Sequence, residues 1–571
     1  MRKAFPILLF LLIGFVADLS AQVLLNNGAQ IQATGGAYIY VNGSVRNAAA
    51  GQMNIDETAR TPAEMFVSQN ITNDATLLGD GRIRLLGNWY NNSIFTSATG
   101  TVFFEGASQL LAGSVPTHFF NITLDGSGFK TQQIDQFATG VLDLKHLELQ
   151  TETHAFFMQN TAANAIIRTT GFVSSLNGGF LSRNTNASVM YLFPTGSSIG
   201  IMRYRPVELS PLAATANTYT VRLANLNAGT EGYSTTSIAS DICEVNPLFY
   251  HQIDRSSGTT AVNMNIFFDA AADGDWEGIA KWQTPANEWN IVTGSTVTPG
   301  SPLSVASKAA WNDFSNTPYI LHKSNVAPTF NTYGPYCTGE TPPSLPSVSL
   351  NGIAGTWNPA TINTSSAGTT TYTFTPNAGV CGFVYTTDIT VNPSPTVNLG
   401  ADQSFCIDNM PVTLDAGSGM TSYLWSNGAP TQTIVISTGG TYSVTVTNSF
   451  GCSASDAITI TVNPLPVVSI SGLASQYCLN SGPVPLSGIP SGGTFSGTGV
   501  IGNTFNPAVA GVGIHTIIYT YTDINSCTNT ASANTEVTAN PDISLLAAVN
   551  PSCFGESDGS ISLSTAGGTP G

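Results

Sequence analysis

Charge is what this chain has least of. Lys, Arg, Asp and Glu make up only 9% of its 571 residues, where an ordinary soluble domain carries about a quarter. What charge exists is acidic: 17 basic against 34 acidic residues, for a net −17. No Lys/Arg cluster is available to neutralise a run of phosphates, which excludes nucleic acid and anionic membrane surfaces as expected partners. Long apolar runs are missing too. After residue 21 no stretch is long enough to cross a bilayer, so no membrane span is expected. The six histidines (118, 146, 154, 251, 322 and 515) are scattered, with no HExxH or HxH spacing. There is no Walker-type loop. Each absence removes a class of catalytic centre, and the chain is not expected to be an enzyme.

Aromatic and β-branched residues are spread throughout, and the hydrophobic share is 42%. A disordered chain lacks both. Thr, Ser, Asn and Gly supply the polarity, as turns and the solvent faces of strands require. A chain of this length exceeds one core and predicts several domains.

The N-terminus predicts export. Arg2 and Lys3 form a basic n-region, Ala4 to Val16 an apolar h-region, and a polar stretch ends at Ala21-Gln22. This reads as a signal peptide over residues 1–21. No Cys follows the h-region, so a lipoprotein anchor is not expected. The localisation expected is secreted, at the cell surface, with a glycan or protein on an extracellular surface as partner.

From Gln22 to Ser324 there is a single cysteine, Cys243, and short apolar runs end at turn residues. Ala37-Tyr38-Ile39-Tyr40-Val41 before Asn42-Gly43 and Arg82-Ile83-Arg84-Leu85-Leu86 before Gly87-Asn88 are examples. Such runs are strands. Residues 22–195 suit a β-solenoid, although no strict period exists and a stack of sandwiches fits as well. Residues 196–325 read as a separate β-sandwich-like domain. The fold class is therefore all-β.

Beyond it the chain repeats. Ile389-Thr390-Val391-Asn392-Pro393, Ile460-Thr461-Val462-Asn463-Pro464 and Val537-Thr538-Ala539-Asn540-Pro541 close three units, over 326–393, 394–464 and 465–541. From Asn to Asn the period is 71 (463 − 392), then 77 (540 − 463). That length, with alternating strands, fits compact Ig-like sandwiches, and each Asn-Pro is a stiff joint. The cysteines fall two per unit: Cys337 with Cys381, Cys406 with Cys452, and Cys478 with Cys527. Six cysteines allow fifteen pairings. One pair per unit makes an intra-domain bridge in each the natural expectation for an oxidising compartment, and Cys243 is left without a role. Cys553 opens a fourth unit over 542–571 whose partner is expected beyond Gly571, so the chain reads as part of a longer protein.

Two stretches invite chemistry. Asp269, Asp273 and Asp275 surround Gly274 in a short loop, either a solvated acidic turn or an oxygen-rich cradle for Ca²⁺; no other cofactor is expected. Trp276, Trp282 and Trp289 follow, the last two flanking a hairpin turn at Thr284-Pro285-Ala286-Asn287. Side by side and exposed, these rings would stack on sugars. Buried, they are core. Recurring carboxylates of the kind a polysaccharide lyase or hydrolase needs are not found over residues 22–190.

Tyr423-Leu424-Trp425-Ser426-Asn427-Gly428 and Gly439-Gly440-Thr441-Tyr442-Ser443-Val444-Thr445-Val446 resemble PKD-like Ig-fold repeats of bacterial surface proteins. Units one and three keep that frame at Gly355-Thr356-Trp357-Asn358-Pro359 and Gly493-Thr494-Phe495. Cys553-Phe554-Gly555-Glu556-Ser557-Asp558-Gly559-Ser560-Ile561, running to Gly567-Gly568-Thr569-Pro570, resembles the start of an SprB-type repeat. The piece from Thr101-Val102-Phe103-Phe104 to Asn121-Ile122-Thr123-Leu124 is similar to leading segments of the same proteins. The resemblance implies a non-catalytic surface adhesin or stalk, associated with gliding motility and type IX secretion. The alternative from another class is an extracellular carbohydrate-binding or polysaccharide-processing protein acting through the N-terminal β-region.

Overall fold

The computed structural model describes residues 23–48, 50–56, 61–315, 318–549 and 560–566. The expected signal peptide and Cys553 lie outside them. The described chain is all-β and forms two compact units. The first runs to Asn331 and takes in Pro346–Asn358 and Thr373–Tyr385; the second holds Thr332–Leu345, Pro359–Tyr372 and the chain from Thr386 onward.

Of the two N-terminal readings, the first is the one found: a parallel β-solenoid. One face is an eight-stranded parallel sheet from Val23–Asn27 to Phe172–Ser174, and a second is a seven-stranded sheet from Tyr38–Val41 to Ile166–Ile167. The third begins as four strands between Gln30–Ala33 and Ile94–Thr96. Each short strand alternates, with Ile83 and Leu85 inside and Arg82 and Arg84 outside, so every coil buries its apolar positions on its neighbours. Leu24, Val45, Ile71, Trp89 and Leu111 stack in one column. They are 21, 26, 18 and 22 residues apart in the sequence. Turn length absorbs the difference, so stacking register survives without a sequence period. The turns must also let coils approach closely. Gly113 sits at φ +135°, and a Cβ there would lie 1.9 Å from the Asn91 carbonyl oxygen.

Inside the first coils runs a ladder of four buried asparagines. Asn26 Nδ2 donates to Asn47 Oδ1 (2.9 Å), Asn47 to Asn73 (3.0 Å) and Asn73 to Asn91 (2.9 Å). The second amide hydrogen of Asn47 goes to the Thr76 carbonyl and that of Asn73 to Ile94. A buried amide is tolerated only when its hydrogen bonds are made, and stacking identical residues makes them on every coil.

The expected division at 195/196 is not a break. Phe180–Thr185 pairs in parallel with the solenoid strand Ala155–Met158 and antiparallel with Asn217–Ala224. A single sheet thus passes from solenoid to sandwich. Facing it is a five-stranded antiparallel sheet, from Tyr191–Phe193 through Val207–Pro211, Val262–Phe268 and Ser304–Trp311 to Thr296–Thr298. Tyr219, Val221 and Ile253 meet Leu209, Met264 and Ile266 between the sheets, and this core is continuous with that of the solenoid.

In each repeat a short strand ending in cysteine pairs in parallel with the end of the closing strand. Cys337 lies opposite Asn392, Cys406 opposite Asn463 and Cys478 opposite Thr538. In the second repeat Trp425 fills the core with Ile434, Val444 and Ile458; in the third, Phe505 and Ile517 do so.

The intra-repeat disulfides expected above are not formed. The bonds are Cys243–Cys381, Cys337–Cys452 and Cys406–Cys527, with Cα atoms 5.3, 5.6 and 5.5 Å apart. Cys478 is exposed and has no partner among the described residues. The reason is geometric. Cys406 sits beside Asn463, at the far end of the strand Ser453–Asn463, and Cys452 immediately precedes its start. Ten steps of about 3.3 Å separate those ends by roughly 33 Å, and cysteines whose Cα atoms are more than about 7 Å apart cannot be bridged. The hairpin tip carrying Cys452 instead returns to its own entry joint, where Asn448 Nδ2 donates to the Pro393 carbonyl (2.7 Å). Asn392, and Cys337 beside it, lie next along the chain. Non-reduced peptide mapping is expected to recover these three linked pairs; a Cys337–Cys381 or Cys406–Cys452 peptide would contradict them. Each bond closes a loop of more than 100 residues, which the chain-entropy argument rates at about 5 kcal/mol.

Candidate binding surface

The sheet shared by solenoid and sandwich turns its outer face away from the main core, and this face divides in two. One half is roofed by the segment between Ala224 and Val245. Leu226, Ala228, Tyr233 and Ile238 pack there on Tyr250, Ala280, Trp282, Trp289 and Ile320 as a second, smaller core.

The tryptophans are therefore core rather than a sugar platform. Trp282 and Trp289 face each other across the hairpin, 5.3 Å apart at 74°, at 6% and 0% exposure. Trp289 Nε1 donates to the Ser234 carbonyl (3.1 Å), tying the roof down. Trp276, also 6% exposed, donates to the Asp273 carbonyl (2.9 Å).

Nor do the three aspartates converge. Asp269 caps a short helix, Ala270–Asp273, its Oδ1 accepting from the Ala271 and Ala272 amides. Asp275 is exposed. Asp273 points inward with its side chain fully buried, and its oxygens accept from Arg203 Nε (3.2 Å) and Arg205 Nε. A carboxylate already held by two guanidinium groups is not a cation ligand, which corrects the Ca²⁺ reading. Among the described residues no three His, Cys, Asp or Glu side chains are grouped closely enough to hold a metal ion.

The same cluster encloses His251, whose Nε2 is 2.9 Å from the Arg205 carbonyl. Burial pulls its pKa down from 6.5 to about 4, with the nearby Arg205 charge acting the same way and Asp273 opposing it. A base with a depressed folded pKa binds fewer protons folded than unfolded, so stability is full above about 6.5 and is lost as pH falls towards 4. The loss is about 3 kcal/mol. Urea unfolding at pH 7 and pH 4 should show this difference, and His251→Asn should reduce it.

The other half of the outer face is open. His118, Phe137 and Phe157 lie in register on successive coils, stacked at 4.4 and 4.6 Å within 10° of parallel. Phe180 meets Phe157 edge-on at 6.3 Å. The row continues through Ser182 and Thr220 to Asp254. Phe180, Thr220, Arg222, Gln252 and Asp254 line a shallow pocket with Gly178. Arg222 is held there by Glu231, at 2.8 and 2.5 Å, and Tyr250 Oη donates to the same carboxylate. These bonds, the one from Arg222 foremost, hold Glu231 below the usual carboxylate range despite its burial. Burial and that carboxylate push the Tyr250 phenol up. The sequence could not announce this surface: its residues come from positions 118 to 254, and only strand stacking aligns them.

The C-terminal residues 546–571 match the SprB repeat family model. No curated protein matches the chain. Among solved structures it is similar to the N-terminal eight Ig domains of Down syndrome cell adhesion molecule. Identity there is 11% and the TM-score 0.21, over 63% of this chain and 45% of that one. It is also similar to a Ca²⁺-stabilised adhesin with which an Antarctic bacterium binds ice. There identity is 11% and the TM-score 0.18, over 62% of this chain and 99% of the other. The chain thus spans less than half of the eight-domain structure. No helix among the described residues is long and apolar enough to cross a membrane.

Proposed function

We propose that the chain is a non-catalytic, cell-surface adhesin or structural stalk protein. The observation that carries this reading is the run of Ig-like repeats cross-linked from each to the next, followed by the opening of an SprB repeat. Disulfides belong to an exported protein, and the basic-apolar N-terminus supports the same compartment. Gliding motility and type IX export are part of the proposal through the SprB likeness. The non-catalytic reading is supported by Asp273 and Glu231, whose carboxylates are both engaged by arginines. The test is surface labelling of intact producing cells with antibodies to residues 22–325, with attachment measured before and after deletion of the gene. Absent labelling, or unchanged attachment and gliding, would overturn it.

A glycan-binding reading keeps one supporting observation, the pocket where Thr220, Arg222, Gln252 and Asp254 sit beside the Phe180 ring. Vicinal hydroxyls suit such a set of donors and acceptors next to an aromatic wall. The stacked His118, Phe137 and Phe157 rings face one another and so present edges, not faces, to a ligand. A glycan array with the full chain tests this reading: a specific signal abolished by Asp254→Asn supports it, and no signal defeats it.

A further inference from the structure

The three disulfides are staggered. Cys337 lies inside the loop closed by Cys243–Cys381, and Cys406 lies inside the loop closed by Cys337–Cys452. We propose that this stagger makes the chain between Cys243 and Cys527 inextensible under tension, so that it transmits force as a tether of fixed length even if its domains unfold. This rests on the disulfide pairing alone and does not need the adhesin reading.

The argument is one of covalent path. Along the backbone Cys243 and Cys527 are 284 residues apart (527 − 243). Through the sulfurs, the shortest route crosses Cys243–Cys381, follows the chain from 381 to 406, and crosses Cys406–Cys527. Only 25 residues (406 − 381) then carry load. Much of that route is already extended, as the strands Tyr385–Asn392 and Gln403–Cys406, and an extended strand has almost no length to give. The cores of the second and third repeats, built around Trp425 and Phe505, can open under load without lengthening the path.

The three bonds are not equivalent. Without Cys243 and Cys381 the shortest route runs over residues 243–337 and 406–452, 140 in all. Without Cys406 and Cys527 it runs over 337–381 and 452–527, 119 in all. Without Cys337 and Cys452 it stays at 25. That bond lies off the load path and serves stability alone.

Single-molecule pulling of the full chain, held at its two ends, tests this. At about 3.5 Å per residue, adding reductant to the wild-type protein should lengthen the fully stretched molecule by roughly 90 nm. Without reductant, the double variant Cys243→Ser with Cys381→Ser should gain roughly 40 nm over wild type. The variant Cys406→Ser with Cys527→Ser should gain roughly 33 nm. Cys337→Ser with Cys452→Ser should gain nothing. Equal stretched lengths with and without reductant, or a gain in the last variant, would overturn the proposal. Reduction of the folded wild type covers the case in which a variant fails to fold.

Discussion

Asp273→Ala is expected to destabilise the N-terminal unit by about 3–5 kcal/mol, the usual cost of removing one partner from a buried ion pair. Asp273 is enclosed, and the Arg203 and Arg205 side chains are each 6% exposed. Its loss leaves two buried guanidinium groups that retain other bonds, Arg203 to Asn225 and Arg205 to the Tyr204 carbonyl, but the one counter-charge left is Asp269, 4.0 Å from Arg205 at a partly exposed position. The carboxylate also accepts the Asp269 amide (2.9 Å), which fixes the turn after the strand Val262–Phe268. At about 1.5 °C per kcal/mol for a unit of more than 300 residues, the melting transition of this unit should fall by roughly 5–7 °C. Adding Arg203→Met and Arg205→Met should restore part of the loss, because the charges left uncompensated are then gone. A shift below about 2 °C for Asp273→Ala would mean that water reaches the cluster and that it is not a sealed ion pair.

The asparagine ladder carries the second large effect. Asn73→Ala removes the donor to both Asn91 Oδ1 and the Ile94 carbonyl, and the acceptor that Asn47 uses. Asn47, Asn73 and Asn91 are at most 1% exposed, so water cannot replace these bonds. Each buried polar group left unsatisfied costs about 1–3 kcal/mol, for a total on the order of 3–5 kcal/mol. Asn92→Ala is the control. Its partners Asp74 and Ser114 meet it at an exposed edge, and surface changes of this kind stay within about 0.5 kcal/mol. Chemical denaturation read by intrinsic fluorescence should separate the two, since Trp89 belongs to the same coil as Asn91. Equal effects for Asn73→Ala and Asn92→Ala would refute the ladder as a stabilising element.

Much of the architecture was legible from composition and local pattern. Strand-turn alternation between residues 37 and 124 is a local property, fixed by which side chains can bury every second position, and it predicts strands whatever they pair with. The Asn-Pro joints at 392–393 and 463–464 are equally local, because proline ends a ladder on its own. The SprB likeness at the C-terminus likewise needs only the residues themselves. Position 73 was less legible. An asparagine between short runs reads as a turn residue, and only the coils above and below turn it into a rung.

The sequence by itself determined that this is an all-β, charge-poor chain of repeating sandwich units, with its cysteines two to a repeat. The tertiary structure alone decided how those cysteines join, because pairing depends on which ends of a strand meet at a joint. Cys406 and Cys452 are 46 residues apart in the chain yet stand at opposite ends of one strand, and each bonds a neighbouring repeat instead. The same holds for Asp273 and for Trp282 and Trp289. An acidic loop and a tryptophan hairpin look available in sequence, and long-range packing against Arg203, Arg205 and the roof over the sheet encloses them.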